Sequence, residues 1–194
     1  MERTRDNSSD EATDDSVLNT TNGNDYYKTD STPALVAGLL RLARPVNCVM
    51  SAVGVAIGGV VGVGSRAWGD LAQPLVLAAA AAAAFTAGGN ALNDIFDRET
   101  DRINHPDRPL ASGHLTVGTA RAFAGSAFAI AALLAVFING LALAIVGVNV
   151  LFMVSYEAWL KARGPAGNVV IAYLVGSLFL FAGVYWLCRF IGHF

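Results

Sequence analysis

The chain has 194 residues, of which 54% are hydrophobic and 14% charged, with a formal net charge of −2. Its apolar runs are too long for a soluble domain of this size, and its charge is too balanced for a nucleic-acid surface. No nucleic acid is expected among its partners.

Residues 1–32 hold eight acidic and three basic residues among Asn, Ser and Thr. This stretch has too little apolar surface to offset its chain entropy, so it is expected to be a disordered acidic tail. It lacks the basic-then-apolar order of a secretory signal. Residues 33–194 carry seven acidic and ten basic residues in a very apolar background, and are expected to form the membrane domain.

The domain begins with "TPALVAGLLRLARPVN". Leu35, Leu39, Leu42 and Val46 recur at helical spacing, with Arg41 and Arg44 among them. That pattern predicts a short interfacial helix. Five apolar runs come next, near residues 45–64, 71–89, 117–138, 141–158 and 166–187. Each approaches the roughly 20 residues that a helix needs to cross a bilayer. Backbone groups in lipid must bond internally, and "AAAAAAAF" does not alternate as a barrel strand would. The expected fold is therefore all-α, a polytopic bundle of about five transmembrane helices. Pro45 suits the first turn of the first of them. Gly54, Gly58 and Gly62 line one face of the same helix, a packing feature.

Arg41, Arg44, Arg98, Arg102, Arg108, Arg121, Lys161 and Arg163 fall on one side of this topology. Arg66 and Arg189 fall on the other. Eight against two places the first side, with the N-terminus, in the cytoplasm of a multi-pass cell-membrane protein. Cys48 and Cys188 lie in apolar segments without metal or disulfide spacing. His105, His114 and His193 are not paired either.

The second run ends in "NALNDIFDRETDRINHPDRPLASG", residues 90–113. If its helix continues through Asp101, then Asn90, Asn93, Asp94, Asp97 and Asp101 fall within a sector of roughly 100°. Carboxylates so close at a membrane helix end are costly and call for a function. Mg²⁺ relieves them, since it takes one or two carboxylates and completes its shell with water and phosphate oxygens. Neighbouring arginines suit phosphate as well. Two other uses stay open: a solvated loop whose Asp and Arg residues pair among themselves, and an ion pathway. A second polar stretch, "YEAWLKARGPAGN", lies on the same side. Its Lys161 is either a second phosphate contact or a positive-inside anchor.

The pattern N-D-x-x-D-x-x-x-D in "NDIFDRETD", followed by "HPDRPLASG", resembles the UbiA-type intramembrane prenyltransferases. "RPVN" and "YEAWLKARGPAGN" extend the resemblance from residue 41 to about residue 183. The Ala/Gly/Val-rich helices and "GNVVIAYLVGSLFLF" are most similar to the archaeal digeranylgeranylglyceryl phosphate synthase branch. The resemblance implies a Mg²⁺-dependent enzyme that moves a polyprenyl group from its diphosphate to a lipid acceptor. In that branch the group is geranylgeranyl and the acceptor geranylgeranylglyceryl phosphate, in ether-lipid synthesis. Quinone-type aromatic acceptors are the alternative. Asn93, Asp94, Asp97 and Asp101 would hold the diphosphate through Mg²⁺. Arg44 and Asn47 would line the cavity with Asn90, and Arg102, Arg108, Tyr156 and Lys161 would contact phosphate or acceptor.

The family has about twice as many helices and a second Asp-rich motif facing the first. Beyond Asp107 the only acidic residue here is Glu157. The chain therefore reads as the N-terminal half of a larger helical fold, of low activity alone and open to self-association. A non-catalytic relative that keeps the diphosphate site is the rival reading. Head-group-transferring phospholipid enzymes also use an Asp-rich helix end, but their Asp-Gly and Ala-Arg pairs do not occur here in that arrangement.

Overall fold

The computed structural model describes residues 32–63 and 68–191. The acidic tail up to residue 31, the connection holding Arg66 and the last three residues lie outside the described residues. So do the side chains of Cys188 and Arg189.

The described residues form seven α-helices in succession: α1 Thr32–Ala43, α2 Pro45–Val63, α3 Trp68–Phe96, α4 Arg98–Asn104, α5 Val117–Val136, α6 Gly140–Ser155 and α7 Pro165–Ile191. Two short turns, one π-helical over Tyr156–Leu160 and one 3₁₀ over Lys161–Arg163, join α6 to α7. Among the described residues, four spans are long and apolar enough to cross a bilayer: Pro45–Gly62, Ala72–Phe96, Val117–Val136 and Gly140–Arg163. The fifth expected run is α7, a helix of 27 residues whose described apolar part is Pro165–Phe181.

The five long helices touch in a closed order, α2 to α3, α3 to α5, α5 to α6, α6 to α7 and α7 back to α2. The seam between α3 and α5 is built from alanine. Ala120, Ala124, Ala127, Ala131 and Ala135 recur every three or four residues on α5 and are buried. They meet Ala78, Ala81, Ala82 and Ala91 of α3. In lipid the gain comes from close packing and not from expelling water, so small side chains that let backbones approach are favoured. The approach is tight: a Cβ on Gly88 would lie 2.9 Å from the Phe128 ring.

On α2, Gly58 faces α7 closely, and a Cβ there would lie 3.0 Å from the Phe179 backbone. Gly62 stands near Gly183, but Gly54 meets nothing within 4 Å, so the expected glycine face packs only in part. The outer surface of α2 exposes Val46, Val49, Met50, Val53, Ile57 and Val61. Such a stripe is a liability in water and an ordinary surface against lipid tails.

Helix α1 keeps Leu42 buried and packs Leu35 and Leu39 on a second cluster with Leu110 and Leu115. Val46 does not join them and is 72% exposed. The helix ends at Ala43, and Arg44 takes φ 52°, so the register of α1 does not carry into α2.

Candidate functional site

The polar side chains gather at one end of the bundle, and three local backbone features bring them there. The first is the α1–α2 junction. Arg44 sits in the left-handed region, which costs a non-glycine residue about 1–3 kcal/mol and persists only where the surroundings enforce it. Here α3 enforces it. Asn90 Nδ2 donates to the Ala43 carbonyl at 2.8 Å, and the Arg44 guanidinium donates to Asp94 Oδ1.

The second feature is the end of α3. The expected straight continuation through Asp101 does not occur: α3 stops at Phe96, Asp97 bends with φ −85° and ψ 1°, and α4 starts at Arg98. The Asp97 and Asp101 N–H groups still donate to the carbonyls of Asn93 and Asp97, so the chain turns without losing its bonding. The bend splits the one-faced cluster in two. Asp94 and Asp101 are buried and share Arg108, which reaches Asp101 Oδ2 at 2.6 Å and Asp94 Oδ1 at 3.7 Å. Asp97 turns to Lys161, whose Nζ lies 2.5 Å from Asp97 Oδ2.

The third feature is the π-helical turn after α6. A π turn holds one more residue than an α turn and so re-aims the chain beyond it. Glu157, with a side chain only 1% exposed, comes to lie against α3. Its carboxylate accepts from Asn93 Nδ2 at 3.2 and 3.4 Å and from Lys161 Nζ at 3.2 Å. Gly164 at φ 57° ends the turn, and Gly167 packs so close to Leu160 that a Cβ would lie 2.7 Å from its carbonyl oxygen.

Most of the expected residues therefore come together: Arg44, Asn90, Asn93, Asp94, Asp97, Asp101, Arg108 and Lys161. Asn47 stands at the edge, exposed, with Nδ2 3.4 Å from Asn90 Oδ1. Two do not join. Arg102 is exposed and bonds Glu99 one helical turn away at 2.9 Å. Tyr156 lays its ring beside Gly167 and makes no hydrogen bond to the cluster. Glu157 is the residue that sequence reasoning missed as a site member. Its one signal was a Lys four positions on, the spacing of a helical ion pair.

Beside Asn47 and Asn90 opens a cavity of ≈ 410 Å³ between α2, α3, α6 and α7. Its deeper walls are apolar, with Phe85, Met153, Leu174 and Leu178, and its remaining polar lining is Ser51 and Thr86, bonded to each other at 2.6 Å.

As ligands for a divalent ion, the carboxylates are not gathered into one group. Among the described residues no three Asp, Glu, His or Cys side chains converge on a common point. The expected set of Asn93, Asp94, Asp97 and Asp101 is thus divided here between the arginines and Lys161. Asp94 and Asp101 are neutralised by arginine, whereas Asp97 is 29% exposed and takes its contacts on Oδ2. One partly exposed carboxylate beside an amide is an apt partial shell for Mg²⁺, which accepts few protein oxygens.

Residues 51–191 match the UbiA prenyltransferase family. The chain belongs to that family. Digeranylgeranylglyceryl phosphate synthase of Methanopyrus kandleri is 46% identical over 142 residues, 73% of this chain and 51% of that protein. The enzyme of the same name from Halobacterium salinarum is 42% identical over 146 residues, 74% and 51% of the two chains. A solved structure bearing on digeranylgeranylglyceryl phosphate synthase in membranes has a TM-score of 0.73 at 37% identity, covering 78% of this chain and 53% of that one. A UbiA homologue from Archaeoglobus fulgidus, bound to GPP and Mg²⁺, has a TM-score of 0.62 at 25% identity, with 75% and 52% covered. The chain thus spans about half the length of the curated relatives it matches. Like the family, it is a helical membrane protein.

Proposed function

We propose that this chain provides the diphosphate-binding part of an intramembrane prenyltransferase. The group moved is a polyprenyl chain, geranylgeranyl by preference, and the acceptor is a lipid, geranylgeranylglyceryl phosphate. The observation that carries the reading is the gathering of three cations at one end of the bundle, Arg44 and Arg108 on Asp94 and Asp101 and Lys161 on Asp97, where Asn47 and Asn90 border an apolar cavity of ≈ 410 Å³. A prenyl diphosphate has that same two-part chemistry, an anionic head and an apolar tail. The names of the relatives, and the GPP and Mg²⁺ bound by one structural neighbour, support it.

The roles rest on the geometry. Asp97, with Asn93 next to it, is the side chain placed to hold Mg²⁺. That ion would supply charge for the departing diphosphate. Arg108 and Arg44 are held in fixed positions by Asp94 and Asp101, so cations face the head group without reorganising. Lys161 adds a third positive charge on a flexible stem. As the C–O bond breaks, negative charge grows on the diphosphate and these donors stabilise it. The allylic cation left behind is shielded from water by Phe85, Met153 and Leu178. Attack by an acceptor oxygen then forms the new ether bond and releases its proton.

The basic asymmetry further supports a cytoplasmic site and N-terminus. Asp97 is a single partly exposed carboxylate, so Mg²⁺ on this chain would take most of its oxygens from the diphosphate and water. The test is to reconstitute it in nanodiscs with Mg²⁺, geranylgeranyl diphosphate and geranylgeranylglyceryl phosphate. Mg²⁺-dependent digeranylgeranyl product supports the reading. Binding of the diphosphate without product points to the non-catalytic alternative, and neither binding nor product removes both.

A further inference from the structure

Next to the ≈ 410 Å³ cavity lies a small one of ≈ 20 Å³, lined by Ala81, Ala82, Val146, Asn149, Ser177 and Phe181. Phe85 and Leu178 line both and partition them. Asn149 on α6 is 8% exposed and Ser177 on α7 is 3% exposed. Asn149 Nδ2 donates to Ser177 Oγ at 2.9 Å, and Ser177 Oγ donates to the Leu174 carbonyl at 2.7 Å. Among the described residues, Asn149 Oδ1 is buried without any partner. Turning the amide over exchanges which atom is orphaned and does not remove the orphan. Such a group is costly in an apolar interior.

We propose that the small pocket holds a single water molecule, bound by the Asn149 amide inside the bilayer. A water needs on the order of 10–15 Å³ of such space and two to four polar partners. It would donate to Asn149 Oδ1 and to the remaining lone pair of Ser177 Oγ. A structure in lipid at water-resolving resolution is expected to show one density about 2.7–3.2 Å from both groups. Water-edited nitrogen spectra of the wild-type chain are expected to show transfer to the Asn149 side chain. An empty pocket, or no transfer, overturns the proposal.

A second inference stands on a different observation and rests on the diphosphate reading above. Lys161 Nζ and Asn93 Nδ2 are each shared between Asp97 Oδ2 and Glu157. Glu157 is buried, so an incoming cation meets Asp97 and not Glu157. We infer that Glu157 is a positioning residue: it gives both donors a fixed acceptor, so that Asp97 can release them and take the cation. Without Glu157, Lys161 has Asp97 alone and competes with Mg²⁺ for it.

The readout is geranylgeranyl diphosphate binding in nanodiscs as a function of MgCl₂. Glu157→Gln is expected to raise the half-saturating Mg²⁺ about tenfold, with the plateau kept. In a Lys161→Met background, where the competing cation is gone, Glu157→Gln is expected to leave the midpoint where Lys161→Met alone puts it, which loss of structure or of a direct ligand would not allow. If Asp97→Asn abolishes the Mg²⁺ dependence while Glu157→Gln leaves the midpoint unmoved, or still raises it in the Lys161→Met background, the inference falls and the site stands. If Asp97→Asn leaves the Mg²⁺ dependence intact, the site reading itself falls, and the inference with it.

Discussion

Helix α3 takes part in two very different regions. Along its length it meets α5 through alanines, in a seam with few polar atoms. At its end it meets α1, α2, the Arg108 loop and the π turn through carboxylates, amides and cations. The seam is held by shape, so it tolerates little change in volume and is indifferent to charge. The polar end is held by charge pairing, so it tolerates bulk at its exposed rim and not the loss of a partner. Order in the bundle and chemistry at its end are therefore separable by mutation.

The largest stability effect should come from the polar end. Asp94→Ala would leave Arg44 without its buried acceptor and take from Arg108 its longer contact, while Asp101 still holds Arg108. Both arginines are partly exposed, which tempers the loss to about 2–3 kcal/mol. Thermal unfolding in detergent would read it, and Asp94→Ala with wild-type stability would show that the Arg44 junction needs no such partner. Next comes the seam. Gly88→Leu would drive a side chain into the Phe128 ring and should cost about 1–3 kcal/mol, while leaving ligand contacts at the polar end in place. A Gly88→Leu chain as stable as the wild type would mean that α3 and α5 do not pack this closely. The smallest effect should come from Arg102→Ala. Among the described residues the one ion pair of Arg102 is with the exposed Glu99, so its removal should change stability by less than about 0.5 kcal/mol and leave diphosphate binding as it was. A clear loss of binding would place Arg102 back among the phosphate contacts.

The two regions also differ in how far the sequence discloses them. The seam comes from helical period alone: alanines three and four apart on α5 must share a face, and "AAAAAAAF" offers a matching surface. The five long helices and the family resemblance were legible for the same local reason, a pattern read within one segment. The polar end depends on residues 50 and 64 positions apart, as in Arg44 with Asp94 and Lys161 with Asp97. Which of them meet is set by backbone exceptions: a left-handed Arg44, a bend at Asp97 and a π turn before Lys161. An unbroken helix was the natural expectation at Asp97, and it put three carboxylates on one face that the bend divides. Glu157 looked isolated because its partners are 64 residues away in α3. Arg102 looked plausible because it stands among site residues in sequence, though α4 turns it outward.

The polar end of the bundle, through Asp97 and the cations around it, is the proposed seat of a prenyl diphosphate. Calorimetric titration of geranylgeranyl diphosphate into the chain in nanodiscs tests this most directly, run with and without Mg²⁺ on the wild type, Asp97→Asn and Asp107→Asn. Asp107 is an exposed carboxylate on the same side that pairs, among the described residues, with Arg41 alone, so it controls for general charge loss. Saturable binding that needs Mg²⁺, falls at least about tenfold in Asp97→Asn and persists in Asp107→Asn is the predicted result. Equal binding by all three proteins, or binding indifferent to Mg²⁺, would contradict it.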